Sequence, residues 1–405
     1  MSDKRYIVWC DRCNWNLDGG AGSEKDSRAL SRQRRAREKG ARLFESLQGS
    51  PVNRPTVTIS AATSVAFAVL VHVITFSVFV VGAWVTLTNF PHTFAWLVGL
   101  PLLLLSVLLR PRLGGIRSGT VLMPADKAVT LYELVNGVAA QIKAKPIDVI
   151  ALNADFNAAH GLLGLRRRRV LWIGLGLWNA LNDRERVALI AHEMAHQVNG
   201  DLTYGLIVGT ALRTLAEWHA VLHTPLPHRR NQSLFDALEA VGELIASIAL
   251  RVLRAIVGWL FDLEESMLYS SQQRAEYFAD LLSARVASTN AAISALDHLH
   301  LARQASQAIY FAVRREEGDV WEAERRYLRE LSSKEWERLR RLSTQRGTSI
   351  DSTHPPTSLR IELLRRQPDL AATITISAAQ SEAIKAELES GFKLVGEQLA
   401  ERISG

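Results

Sequence analysis

The feature that most constrains the fold of this 405-residue chain is an uncharged stretch near its N-terminus. Between Val57 and Leu109 there is no Lys, Arg, Asp or Glu. One membrane-spanning helix needs roughly 20 apolar residues, so this stretch has the length of two. Pro91 marks a turn between them. We therefore predict a transmembrane helical hairpin over residues 57–109, with arms at about 60–87 and 93–109. Two buried core helices are the alternative, which the long absence of charge disfavours.

Basic residues flank the uncharged stretch on both sides, and the predicted turn contains none. Because Lys and Arg are retained on the cytoplasmic side of a membrane, both ends of the hairpin should face the cytoplasm. The pattern thus predicts a multi-pass protein of the cell (plasma) membrane, with residues 110–405 cytoplasmic. The stretch SRQRRAREKGAR (31–42) should contact anionic lipid headgroups. No nucleic-acid partner is expected, since no binding motif accompanies this charge.

The remaining chain has mainly helical hydrophobic spacing with two short strand-like segments, PIDVIAL and RRVLWIGL. This pattern predicts a mainly α fold with a small β-sheet (α+β). Two later segments, 204–223 and 244–261, are apolar but interrupted by charge, so core or interfacial helices are favoured over further spans. The chain divides into a basic N-terminal region (1–56), the hairpin (57–109) and a third part (110–405).

The segment His192-Glu193-Met194-Ala195-His196 carries the chemistry of that third part. A helix is predicted to begin at Asn182 or Asp183, with Glu185 in capping-box spacing. Histidines four apart share one helix face and can bind one ion. Zinc lowers the pKa of a bound water to about 7, and Glu193 can accept its proton. The pattern indicates a zinc hydrolase; a helix with two unrelated histidines is the alternative.

A catalytic zinc generally takes three protein ligands, so a third ligand is expected downstream. A metzincin is excluded, because positions 199 and 202 would need Gly and His but carry Asn199 and Leu202. The segment RAEYFAD places Glu276 and Asp280 on one helix face, where Glu276 can bind zinc and Asp280 can hydrogen-bond a ligand histidine. Alone, such a pair is usually a solvated helix face. The other candidates were His219, His223, His228, Glu264 and Glu265.

With these residues the chain resembles the membrane zinc metallopeptidases of the HtpX and CAAX prenyl protease type. Four stretches in the family's order carry the resemblance: FNAAHG, HEMAHQVNGD, RAEYFAD and STHPPTSLRI. They lie between about residues 146 and 364. The resemblance implies a zincin-like (gluzincin) domain over 110–405, attached to the transmembrane hairpin.

The resemblance also implies a role for each matching residue. His192, His196 and Glu276 would bind one zinc ion per chain, and Glu193 would be the general base. His354 and Arg360 would polarise the scissile carbonyl and its developing oxyanion. Asn157 and Ala158 would hold the substrate next to an edge strand, onto which an extended peptide can add.

These features predict a membrane-anchored zinc endopeptidase whose substrates are extended polypeptides, such as misfolded or damaged membrane proteins. The prenyl-protein branch is disfavoured, because a lipid-accepting chamber would need more spans. Two alternatives remain. In the first, the chain is a catalytically silent membrane adaptor that retains the fold. In the second, its N-terminal region is a nucleic-acid or partner-binding module tethered to the membrane.

The only two cysteines, Cys10 and Cys13, have the spacing of half a zinc ribbon in the segment WCDRCNW. A structural zinc site takes four ligands, and no second pair exists in the chain. A degenerate knuckle is the leading interpretation. A site completed across a homo-oligomer and a cytoplasmic redox pair are the alternatives.

Overall fold

The computed structural model describes residues 7–18, 38, 40–47, 59–108, 110, 116, 119–164, 166–199, 201–222, 236–346 and 354–404. The described residues form mainly helices and one four-stranded sheet, which confirms the predicted mainly α fold with a small sheet. The strands are β1 (Val121–Met123), β2 (Val149–Asn153), β3 (Ala158–Leu163) and β4 (Arg168–Gly174). The helices are α1 (40–47), α2 (Ile59–Asn89), α3 (Leu100–Leu108, preceded by a π-helical turn at Ala95–Gly99), α4 (Val129–Gln141), α5 (Leu175–Ala180), α6 (Asp183–Asn199), α7 (Asp201–Leu222), α8 (Asp236–Ala287), α9 (Thr289–His298), α10 (Ala302–Arg314), α11 (Val320–Arg329), α12 (Ser333–Arg346), α13 (Thr357–Arg365) and α14 (Ala378–Ser404).

The chain forms two compact units. The first comprises residues 1–55, 114–202 and 272–405, and the second comprises 56–113 and 203–271. Helix α8 is continuous over 52 residues and supplies its N-terminal part to the second unit and its C-terminal part to the first. The predicted division of the sequence at residues 56 and 110 stays a prediction.

The sheet of the first unit has the strand order β1-β2-β4-β3. Strands β2 and β4 are parallel, and β1 and β3 are antiparallel to their neighbours. The central strands read as continuous apolar runs, which is typical of strands covered on both faces. Ile150 and Leu171 are paired and fully buried, as are Leu152 and Ile173. Strand β3 lies at an edge of the sheet.

One large apolar core lies between this sheet and helices α4, α6, α9 and α14. Helix α6 contributes Val187, Ile190 and Met194 to it, all essentially inaccessible to solvent. Burying a side chain of this size contributes about 1.5–3 kcal/mol, so the apolar face of α6 anchors the helix firmly. The histidines of the sequence motif are therefore carried on a well-anchored helix.

The start of α6 has the predicted capping box. The Asn182 side-chain oxygen accepts hydrogen bonds from the backbone N–H groups of Arg184 (3.0 Å) and Glu185 (3.1 Å). In return, the Glu185 carboxylate accepts one from the Asn182 N–H at 2.8 Å. These bonds satisfy donors that a helix N-terminus otherwise leaves unpaired.

The second unit contains α2, α3, α7 and the N-terminal part of α8. Its small core joins Val71 of α2, Val208 and Leu215 of α7, and Val257 of α8. Polar contacts add to this packing: the Ser64 hydroxyl donates to Glu264 at 2.6 Å, and His72 Nε2 lies 3.2 Å from the Ile207 carbonyl. Helices α7 and α8 thus pack against α2 within this unit.

Helix α2 turns into the next helix at residues 90–92, as the sequence predicts. Among the residues that the structure describes, Ala62–Asn89 is the one segment with the length and composition to cross a membrane. The following apolar helix, Ala95–Val107, is shorter than a typical span. A hairpin that spans the membrane twice therefore stays a prediction. Most of the basic stretch at 31–42 lies outside the described residues, as do His223, His228 and Gly200.

Candidate metal centre

Helices α6 and α8 bring the three predicted metal ligands together. One ligand atom each from His192, His196 and Glu276 lies within 4.8 Å of the other two. His192 Nε2 is 3.4 Å from one Glu276 oxygen, and His196 Nε2 is 3.4 Å from the other. The two imidazole rings are nearly perpendicular, with centroids 5.0 Å apart. Two nitrogens and one carboxylate thus converge on one point, as a metal site requires.

Asp280, one turn after Glu276 on α8, fixes the orientation of His192. Its Oδ1 lies 3.0 Å from His192 Nδ1, so Nδ1 carries the proton and Nε2 is left to face the metal position. The guanidinium of Arg360 donates to both Asp280 oxygens, at 2.8 and 2.7 Å. Both side chains are buried. Burial alone would raise the pKa of Asp280, but the charge and hydrogen bonds of Arg360 outweigh it and lower that pKa.

Glu276 is also held as an anion. Burial would raise the pKa of its carboxyl, but the charges of His354, Arg360 and His196 outweigh burial and lower it well below its ordinary value. His354 Nδ1 lies 2.7 Å from Glu276 Oε2, and Arg360 Nη2 lies 3.4 Å from the same oxygen. The resemblance implies that His354 and Arg360 act on the scissile carbonyl of the substrate. The structure shows that both side chains also lie close to the Glu276 carboxylate.

The charge of the centre fits a divalent cation. Glu276 and Asp280 are buried carboxylates whose lowered pKa values keep them ionised, and Arg360 offsets one of these two charges. Burial and Arg360 act to lower the pKa of His192, yet its hydrogen bonds to Asp280 and Glu276 raise that pKa to about 10. The carboxylates around His192 therefore favour an additional positive charge at the centre. A divalent metal ion supplies that charge while the imidazoles stay neutral.

A cavity of about 40 Å³ adjoins the centre. Glu193 and His192 line it together with Asn157, which immediately precedes β3, and with His354 and Arg360. Ala158 is buried in β3 opposite Ile173. The cavity is thus lined by helix α6, which carries the predicted base Glu193, and by the start of the edge strand β3.

Sequence reasoning missed two neighbours of this centre. An apolar wall of the cavity comes from α9, through Ala292, Ala295, Leu296 and, just after the helix, Leu299. Phe44 of α1 packs on Tyr277, next to the candidate ligand Glu276, with ring centroids 6.3 Å apart. The apolar spacing of Leu43, Phe44 and Leu47 was the available signal for this contact.

Comparison with known proteins places the chain among peptidases. It is 27% identical over 193 residues to a protease HtpX homolog of Nitrosomonas europaea, covering 45% of this chain and 61% of the relative. It is 25% identical over 185 residues to protease HtpX of a Psychrobacter species, covering 45% and 59%. It is 31% identical over 166 residues to protease HtpX homolog 1 of Saccharolobus solfataricus, covering 40% and 51%.

The matches thus span between half and about three fifths of these relatives. No solved structure matches the chain significantly. Residues 128–367 match the sequence profile of peptidase family M48, and the matched region contains every residue assigned above to the centre. Because this region is more than half of the sequence, the chain belongs to peptidase family M48.

Proposed function

We propose that this protein is a membrane-anchored zinc endopeptidase that hydrolyses peptide bonds in extended polypeptides. The observation that carries the proposal is the His192–His196–Glu276 cluster, in which His192 and Glu276 are buried and His196 is partly buried, beside a cavity that Glu193 lines. In a tetrahedral zinc site with zinc–ligand distances of about 2.0–2.1 Å, neighbouring ligand atoms lie about 3.3–3.4 Å apart. The distances of 3.4 Å from His192 Nε2 to Glu276 Oε2 and from His196 Nε2 to Glu276 Oε1 are close to that spacing.

The proposed mechanism assigns a task to each residue around the cavity. When bound, zinc would polarise the scissile carbonyl and lower the pKa of a water to about 7. Glu193 would take the proton of the attacking water and pass it to the leaving amine. His354 would donate a hydrogen bond to the developing oxyanion. Arg360 would add positive charge and, through Asp280, hold His192 in orientation.

Strand β3 supports the proposal of an extended substrate. It is an edge strand and begins immediately after Asn157, a residue of the cavity wall. A peptide that adds to such an edge gains main-chain hydrogen bonds and is presented as a strand. Asn157 would hold its backbone where it enters the cavity. Misfolded or damaged membrane proteins are the substrates we favour.

Helix α2 supports membrane attachment. It is 31 residues long and leaves large apolar side chains exposed, including Phe76 (65%), Trp84 (65%) and Leu87 (80%). A core helix of a soluble protein would bury such residues. We propose anchoring in the plasma membrane with the catalytic residues on the cytoplasmic side, because the basic residues flank the hairpin. The basic stretch at 31–42 would contact anionic headgroups.

The test is Glu193→Gln in the full chain, purified in detergent and compared with wild type for zinc content and casein cleavage. Gln keeps the shape of Glu193 but cannot accept a proton, so cleavage should fall by about 10²–10⁴-fold. Both proteins should retain about one zinc at this centre, since Glu193 is not a ligand. Glu382→Gln is the matched control, because its carboxylate is exposed on α14, and it should leave cleavage unchanged.

Two results would contradict the proposal. Equal cleavage by Glu193→Gln and wild type would show that Glu193 is not the general base. Zinc binding without cleavage of casein or of unfolded membrane proteins would favour the catalytically silent adaptor instead.

A further inference from the structure

The segment that carries Cys10 and Cys13 forms a defined turn. The Cys10 N–H donates to the Trp15 carbonyl at 3.1 Å, and the Asn14 N–H donates to the Cys10 carbonyl at 2.9 Å. Asn14 and Asn16 adopt φ values of 57° and 56°, in the left-handed region that Asn enters more readily than most residues. These features close the turn and set both cysteines on it.

Helix α12 holds this cysteine turn (residues 7–18) in place. Trp9 and Leu17 are buried at its two ends. Arg338, which is itself paired with Glu335, donates to the Leu17 carbonyl at 2.8 Å. Arg341 donates to the Asp11 carbonyl and lies 5.3 Å from the centre of the Trp9 ring. A turn fixed at both ends loses little entropy when it binds a ligand, so the site is preorganised.

Both sulfurs are available for binding. Cys13 is exposed and Cys10 is partly exposed. Hydrogen bonding from the backbone N–H groups of Cys13 and Arg12 lowers the pKa of the Cys10 thiol. The cationic groups of Lys334 and Arg341 both lie over the Trp9 ring of the same turn. Hydrogen-bond donors of this kind stabilise a thiolate, and thiolate is the form that binds zinc.

Two thiolates are half of a structural zinc site. Such sites take four ligands. Within the part of the chain that the structure describes, the one cluster of three or more metal-binding groups is His192, His196 and Glu276. The cysteine turn therefore has no third ligand there, and the chain has no other cysteine. A second copy of the chain would add two more thiolates. Four thiolates on one Zn²⁺ leave a double negative charge, and Lys334 and Arg341 add positive charge around the Trp9 ring of each turn.

We propose that Cys10 and Cys13 bind a second, structural zinc ion that is shared between two copies of the chain. Each copy supplies one cysteine turn, and four thiolates complete the site. The ion would join the two chains through the surface formed by the turn and α12. This site is separate from the His192–His196–Glu276 centre and does not depend on catalysis.

The test compares the full-length wild-type protein with Cys10→Ser/Cys13→Ser in detergent under reducing conditions. Wild type should hold about 1.5 zinc ions per chain and the double variant about 1.0, because each shared ion contributes half to each chain. Light scattering should show a dimer that a chelator reverses in wild type. Cobalt loading should give a thiolate-to-metal absorption band in wild type that the double variant lacks. Casein cleavage by the double variant should equal that of wild type, which shows that it folds.

Three results would overturn the proposal. Equal zinc content in the two proteins would mean that the cysteines bind no zinc. A loss of one whole zinc per chain, with no change in mass, would mean that the site is completed within one chain. A Cys10–Cys13 disulfide that forms readily in air, together with no zinc uptake after reduction, would identify a redox pair instead. Asp11→Asn, which keeps both thiols, is the matched control and should behave as wild type.

Discussion

Asp280 connects His192 and Arg360 in the candidate metal centre through its two carboxylate oxygens. One side of the carboxylate meets His192, and both oxygens accept from Arg360. Charged pairs of this kind, removed from water, cost a large desolvation energy unless every partner is present. The loss of one member therefore leaves the others unpaired in the interior. A substitution of Asp280 should therefore lower the zinc affinity of the centre, although Asp280 is not one of the three candidate ligands.

Asp280→Asn should weaken zinc binding by about 10–100-fold, the usual effect of removing the partner of a ligand histidine. The amide keeps the size of the side chain, but its neutral oxygen accepts more weakly from His192 Nδ1–H, and its NH2 group can neither accept from Arg360 nor balance its charge. Zinc affinity of the full chain can be measured by competition with a chelator. Asp148→Asn is a matched control, because Asp148 accepts the same two-pronged contact from Arg169 on the surface. Equal losses in both variants would refute a specific role for Asp280.

Glu324 of α11 is a fully buried acid. Its Oε2 accepts from Asn179 at 2.9 Å, and its Oε1 has no hydrogen-bond partner among the described residues. Burial raises the pKa of Glu324 to about 8, against the lowering effects of Asn179 and Arg325. The folded protein therefore holds a proton on Glu324 at pH values where the unfolded chain, with an ordinary pKa of 4.5, has lost it.

This proton makes stability depend on pH. Between pH 4.5 and about 8 the folded state binds more protons than the unfolded state, so the free energy of unfolding falls as pH rises through this window. Glu324→Gln should flatten this dependence and should melt at a higher temperature than wild type at pH 8.5. Thermal melting of both proteins from pH 5.5 to 8.5 provides the measurement. Parallel curves would show that Glu324 does not titrate in this range.

At the scale of elements, helix α1 reaches the metal centre from the N-terminal region. Phe44 is buried against Tyr277 of α8 and Leu363 of α13. Tyr277 follows the candidate ligand Glu276, and Leu363 lies one turn after Arg360. Arg366 lies over the Phe44 ring at 5.3 Å. The helix therefore supports the two elements that carry a ligand and the arginine of the centre.

Phe44→Ala should lower zinc affinity and the kcat of casein cleavage severalfold, because the ligand helix loses a packing partner. Removing a buried Phe side chain costs about 3–5 kcal/mol of packing energy at most sites. Phe44→Leu should restore both quantities, and Phe311→Ala should change neither, since Phe311 is exposed on α10. If Phe44→Ala alters stability but leaves zinc affinity and kcat as in wild type, the contact serves folding alone.

Sequence patterns predicted the elements with strong local signals. The capping box of α6, the apolar strands β2 and β4, the turn after α2 and the clustering of His192, His196 and Glu276 all follow from spacing or from family motifs. The contacts of Phe44, the α9 wall and the pairing of Arg360 with Asp280 could not be predicted in this way. Phe44 lies more than 200 positions from Tyr277, Arg360 lies 80 positions from Asp280, and the α9 wall lies about 100 positions from His192 and Glu193. Spacing within a segment carries no information about such contacts.

At the scale of the whole molecule, α2 exposes an apolar surface whose contact with water is unfavourable. Its exposed residues are large and apolar over most of its length. We expect the full chain to remain with the membrane fraction after alkaline carbonate extraction. Phe76→Arg/Val80→Arg should reduce this fraction, because each Arg near the middle of a span opposes insertion by about 2.5–3.5 kcal/mol. Phe76→Leu/Val80→Leu is the control. Retention of both variants in the membrane would mean that another segment anchors the chain.

The edge position of β3 bears on how such an enzyme would choose its targets. A guest segment must present its own main-chain donors and acceptors to pair with a strand edge, and a natively folded protein has already used nearly all of these internally. Selection would then depend on whether a stretch of backbone is unoccupied, with only modest demands on its side chains. Such an enzyme would spare well-folded neighbours in the same cell without needing to recognise them.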